Sequence, residues 1–81
     1  MPKSVHSQRH MMIAVALAEA RRAKGMKQVE VAAALGRRQP FIANIESGER
    51  RVDLVELIDL ADILDLDLFA LISRLKSASL P

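Results

Sequence analysis

The sequence predicts an all-α protein built from five short helices. Three observations carry that expectation. No alternating apolar and polar strand pattern persists anywhere, apolar residues recur three and four apart along most of the chain, and glycines or polar cap residues cut the pattern into helical lengths. The 81 residues suffice for a single domain, 1–81, around one core. Residues 1–8 are expected to form a flexible N-terminal arm and residues 77–81 a flexible tail.

The first helix is expected from about Ser7 to Lys24, where Ile13, Leu17 and Ala20, joined by Ala16, recur at helical spacing; Gly25 follows as a left-handed stop. The second runs from Gln28 to Leu35 on a stripe of Val31, Ala32 and Leu35, and ends at Gly36. Next comes GRRQPFIANIESGERR, residues 36–51, in which Pro40 decides the reading. A proline inside a helix removes a hydrogen bond and costs about 3 kcal/mol. With Arg38 as the N-cap, Gln39 is the first helical residue and Pro40 the second, in the first turn, where backbone N–H groups have no intrahelical partner. Pro40 then helps to start a helix that buries Ile42 and Ile45 and ends at Gly48. Asp53 with Glu56 three residues on reads as a capping box for LVELIDLADIL, and Asp67 caps LFALISRLK, with Leu66 and Leu71 at staple spacing. Helices two and three, joined tightly at residues 36–38, make a helix-turn-helix arrangement whose third helix projects its start outward.

Composition excludes several classes. Cysteine is absent, so there is no disulfide framework and no thiolate metal site. His6 and His10 have no third ligand beside them in sequence and read as exposed or helix-flanking polar residues, with no metal expected. No Ser/His/Asp grouping, carboxylate pair or glycine-rich phosphate loop suggests catalysis, and no cofactor is implied. The start, with Lys3 and Arg9 before the apolar run MMIAVALA and then Ala16-Leu17-Ala18, imitates a secretory signal. That run is short, its flank is broken by Ser, Gln and His, and cleavage would delete the first helix, so a soluble intracellular protein is expected. Nothing approaches the roughly 20 apolar residues of a membrane span.

Charge is divided along the chain: residues 1–51 hold ten Lys/Arg against four acids, whereas residues 52–81 hold two against six. A basic front suits a polyanion. The start of helix three offers Gln39, whose amide matches the major-groove edge of adenine. Arg37 and Arg38 suit guanine or phosphate, and Pro40 and Phe41 bring apolar surface that suits a thymine methyl. Asn44 can reach a base edge or a phosphate. Gln28, at the start of helix two, and Arg50 and Arg51, after helix three, are placed to grip the sugar-phosphate backbone. Each also has a plainer reading: Gln39 and Asn44 suit a solvated helix surface, Phe41 suits partial burial, and Arg22 and Lys24 read as solvated helix charges.

The run LAEARRAKGMKQVEVAAALGRRQPFIANIESGERR, followed by a leucine-rich helix, resembles the five-helix lambda-repressor-like DNA-binding domain of the phage-repressor or Cro-like (Xre) helix-turn-helix family, over about Ile13 to Ile72. The resemblance implies Gln39 as a principal base reader, with Arg38, Pro40 and Asn44 as further base contacts. It implies phosphate contacts from Gln28, Arg37, Arg50 and Arg51, Gln28 also bracing the reading helix. It further implies a structural ion pair between Arg21 and Glu46. Where many members carry a small hydroxyl residue at the caps of helices two and three, this chain has Lys27 and Arg38. Pro40 and Phe41 replace residues that are often polar, which leaves the preferred bases open. The expected setting is a bacterial or phage-encoded cytoplasmic protein, at the nucleoid when bound.

Helices four and five carry more apolar residues than so small a domain can bury, so a homodimer is expected through Leu64, Leu68, Phe69, Leu71, Ile72 and Leu75 and the adjoining part of helix four. The function expected is a sequence-specific transcriptional regulator that binds a near-palindromic double-stranded DNA operator, without enzymatic activity. Two alternatives stay open. An antitoxin, with a toxin or other protein partner, or a restriction-modification controller would share the fold and differ in the neighbouring gene. A protein-interaction module that never touches DNA would differ in its response to salt.

Overall fold

The computed structural model describes residues 7–78, and among them five helices and no strand occur in the order α1 (Gln8–Ala23), α2 (Gln28–Leu35), α3 (Gln39–Ser47), α4 (Leu54–Leu64) and α5 (Leu68–Ser77). Ser7 caps α1, its hydroxyl accepting from the His10 backbone N–H at 3.1 Å, and Ser77 is the last residue of α5. The rest of the expected arm and tail, with His6 and Lys3, lies outside the described residues.

Caps explain where the helices begin. The Asp53 carboxylate accepts from the Glu56 N–H at 2.8 Å while Glu56 accepts from the Asp53 N–H at 3.0 Å, which closes the capping box of α4. Asp67 accepts from the Ala70 N–H at 3.0 Å. At α2 and α3, Lys27 and Arg38 supply no side-chain acceptor; Glu30 compensates at α2 by accepting from the Lys27 N–H at 2.7 Å, and Pro40 lies in the first turn of α3.

Gly36 makes the tight connection possible. Its φ of 74° is left-handed, and the Arg37 N–H turns back to the Ala32 carbonyl at 2.8 Å, ending α2 and releasing the chain into α3 after two further residues. Asp65, with a φ of 54°, ends α4 in the same conformation. There Lys24 donates to the Ile63 carbonyl at 2.9 Å and pairs with Asp65 at 2.8 Å, so α1 ties down the end of α4. This corrects the expectation that Lys24 is only a solvated charge.

Every helix contributes to one core: Ala16 and Leu17 from α1, Val31 and Ala32 from α2, Ile42 and Ile45 from α3, Leu57, Leu60 and Leu64 from α4, and Leu71 from α5. Complete burial of a side chain such as Leu60 or Leu71 contributes about 1.5–3 kcal/mol. Leu64 and Leu71, expected at a dimer interface, are therefore corrected: they are 4% and 1% exposed within the protomer's own core. Leu64 of α4 and Leu71 of α5, the latter helix packed against α1, lie in the shared core, whereas Phe69 and Ile72 of α5 stay exposed.

His10 also departs from the expectation of an exposed or helix-flanking residue. It is buried, and its Nε2 lies 3.2 Å from the carbonyl oxygen of Gly48, the residue that ends α3. Gly48 has a φ of 85°, and a Cβ there would meet the Met11 Sδ at 2.6 Å, so α1 packs directly on this turn.

Candidate nucleic-acid interface

The start of α3 is held off the globule. Arg37, Arg38, Gln39 and Pro40 are exposed, Asn44 is exposed one and a half turns on, and Phe41 is half-buried. Ile42 and Ile45 anchor the opposite face of α3 in the core, which is why its polar residues share one outward side.

A chain of hydrogen bonds leads from the interior to this tip. Arg21 donates through Nε to the Glu46 Oε2 at 2.6 Å and through Nη2 to Oε1 at 3.1 Å, a bidentate pair, and its Nη1 donates to the Met26 carbonyl at 2.9 Å. Glu46 Oε1 also accepts from the Gln28 Nε2 at 2.9 Å, and the Gln28 Oε1 accepts from the Gln39 Nε2 at 2.7 Å. The Arg21 and Glu46 side chains are 13% and 9% exposed, so this is an ion pair largely withdrawn from water. The Glu46 hydrogen bond holds the Arg21 guanidinium above its usual pKa. Among the described residues no buried side-chain nitrogen or oxygen lacks a partner.

The orientation this imposes on Gln39 has chemical content. One amide N–H is committed to Gln28, and on this exposed residue that leaves a second N–H and the side-chain oxygen, one donor and one acceptor, the kinds of group that pair with adenine N7 and N6. Gln28, at the start of α2, commits one amide N–H to Glu46 and its side-chain oxygen to Gln39.

A cluster with no signature in the sequence lies beside that tip. The Phe41 ring has the Arg37 guanidinium 4.5 Å from its centroid and the Arg50 guanidinium 4.3 Å from it. Both arginines reach Glu56: Arg50 donates from Nη1 to Oε1 at 3.0 Å and from Nη2 to Oε2 at 3.1 Å, and the Arg37 Nη2 lies 3.7 Å from Oε2. Hydrogen bonds from Arg50 chiefly, then from the Asp53 backbone, hold the Glu56 carboxyl below its usual pKa. The sequence marks Glu56 as a helix cap, and the spacing of Arg37, Arg50 and Glu56 carries no periodicity that marks them as neighbours. Arg51 is exposed after α3. Among the described residues no group of His, Cys, Asp or Glu has the makings of a metal site.

Between them α4 and α5 leave an apolar groove of about 540 Å³ lined by Leu54, Ile58, Ala61, Leu66, Leu68, Phe69 and Ile72, with Asp62 and Asp67 also in its wall. Phe69 is 85% exposed and Leu54 65%. Leu68 and Leu75 are half-buried.

A short helix, a three-residue turn and a second helix with an exposed polar start, braced by an interior ion pair, define a helix-turn-helix protein. The chain belongs to the helix-turn-helix family, whose model matches residues 17–71. It is of the XRE type: an XRE-family like protein from Pseudomonas syringae pv. tomato str. DC3000 is 38% identical, with 95% of this chain and 94% of that one covered and a TM-score of 0.81. The restriction-modification controller protein C.AhdI from Aeromonas hydrophila is 33% identical over 75% of this chain and 88% of its own, with a TM-score of 0.68. A mutant of the restriction-modification controller C.Esp1396I, 21% identical, shares the fold at a TM-score of 0.75 over 89% of this chain and 91% of its own. Among curated proteins none matches the chain significantly.

Proposed function

We propose that this protein is a sequence-specific regulator that binds a near-palindromic double-stranded DNA operator as a homodimer. The observation that carries the reading is the exposed Gln39 at the start of α3, whose amide is held by Gln28 through one N–H and keeps a second N–H and its oxygen uncommitted. Arg38, Pro40 and Asn44 share that surface and are assigned to base edges. Gln28, Arg37, Arg50 and Arg51 flank it and are assigned to phosphates. The apolar groove between α4 and α5 supports self-association, with Phe69, Ile72, Leu68 and Leu75 joined by Leu54 and Ile58 of α4. A twofold axis there would place two copies of α3 in successive major grooves, with half-site centres about 34 to 36 Å apart. No helix among the described residues is long and apolar enough to cross a membrane.

Salt titration of duplex binding tests the reading. Six or more phosphate contacts give a log–log slope of about −5 or steeper, from about −0.9 for each phosphate neutralised. Binding through an apolar surface alone would give a flat dependence. The likeness to C.AhdI favours one variant of this function, a restriction-modification controller. A restriction endonuclease or methyltransferase gene beside this one would establish it.

A further inference from the structure

Arg37 precedes α3 and Arg50 follows it, yet both guanidinium groups converge on Phe41 and on one carboxylate. That carboxylate is itself anchored. Glu56 accepts from the Asp53 backbone N–H in the first turn of α4, and its side chain is only 14% exposed, so it cannot follow the arginines if they swing away. Phosphate and carboxylate make the same kind of contact with a guanidinium. Glu56 is thus a fixed internal anion in contact with two cations of the DNA-facing surface.

We propose that Glu56 is a specificity-determining residue: it restrains Arg37 and Arg50 on Phe41 and offsets part of their charge, so that duplexes of arbitrary sequence bind less tightly than the operator. The inference rests on the DNA-binding reading above. Binding to arbitrary duplexes is almost wholly electrostatic, and it gains from long cations free to seek phosphates in any register. A specific complex needs those cations in one register only. Holding them in place therefore weakens the non-specific complex more than the specific one. Glu56 does not touch DNA; it acts through the two arginines.

Glu56→Gln separates this role from capping, because a glutamine oxygen still accepts from the Asp53 N–H. The full chain and the variant are titrated by fluorescence anisotropy against a duplex selected by the wild-type protein from a random pool, and against a scrambled duplex of the same length and composition, from about 50 to 200 mM salt. The variant is expected to bind the scrambled duplex about two- to fivefold more tightly. Its salt slope on that duplex is expected to steepen by about one, and the selected duplex to gain less, so that the ratio of the two affinities falls. An unchanged ratio, or equal loss on both duplexes, overturns the proposal. If circular dichroism shows that Glu56→Gln does not fold, Phe41→Leu takes its place: loss of the stacking platform should lower the same ratio, and an unaltered ratio overturns the proposal. Should the wild-type protein bind neither duplex, the DNA-binding reading fails and takes this inference with it; if it binds both and only the ratio resists substitution, the inference alone falls.

Discussion

The Gln39 side chain donates to the Oε1 of the Gln28 side chain across 2.7 Å, and this contact joins the exposed start of α3 to the interior of the protein. Gln28 is held in turn by Glu46, so the Gln39 amide is oriented by the protein itself before any ligand arrives. Gln39→Ala should relax base preference at one position per half-site by about 1 to 3 kcal/mol. Gln28→Ala should relax the same position to a lesser degree, and the double variant should fall short of the sum, because both changes remove one arrangement. Affinities for a set of single-base operator variants check this.

The Arg21–Glu46 pair is predicted to hold α1 to the end of α3. Removing one partner leaves the other largely out of water, so Glu46→Ala should destabilise the fold by about 3 kcal/mol or more. In a domain of this length that lowers the melting temperature by roughly 12 °C or more. Thermal unfolding followed by circular dichroism measures it.

Leu71 and Phe69 are two residues apart on α5 and should behave oppositely. Leu71 is 1% exposed, and Leu71→Ala should cost about 2–5 kcal/mol of stability. Phe69 is 85% exposed in the protomer, so Phe69→Ala should leave the fold intact and weaken self-association. Sedimentation equilibrium beside chemical denaturation separates the two effects.

Glu56 predicts a pH dependence. Its pKa is lowered in the folded state, so its contribution to stability is complete above the ordinary carboxylate pKa of about 4.3 and is lost as pH falls through its lowered folded value. The stability gap between wild type and Glu56→Gln should therefore be widest near neutral pH and shrink progressively below about pH 4. A gap that widened in acid would contradict this sign.

Most of the architecture is legible in the sequence because it depends on local signals. Asp53, Asp67, Gly36 and Gly48 mark helix ends through their own backbone chemistry, and Pro40 fixes the start of α3 by where it can be tolerated. What escapes is tertiary. Apolar spacing cannot tell Leu71, which is buried in the core, from Phe69, which faces solvent. His10 lies in a polar stretch near the terminus, and only the packing of α1 across the turn at Gly48 buries it. Likewise Arg50 and Glu56 each carry an obvious local role, a loop cation and a helix cap, and nothing in their spacing reveals that they are partners.

Whether the outward start of α3 reads base sequence is decided by selecting bound duplexes from a random pool, with the wild-type protein and Gln39→Ala in parallel. The wild type should enrich a near-palindromic site whose half-site centres lie about one helical turn, 34 to 36 Å, apart, and the variant should lose preference at one position in each half. If the wild type enriches nothing, or if Gln39→Ala enriches the same site to the same degree, that surface does not read DNA.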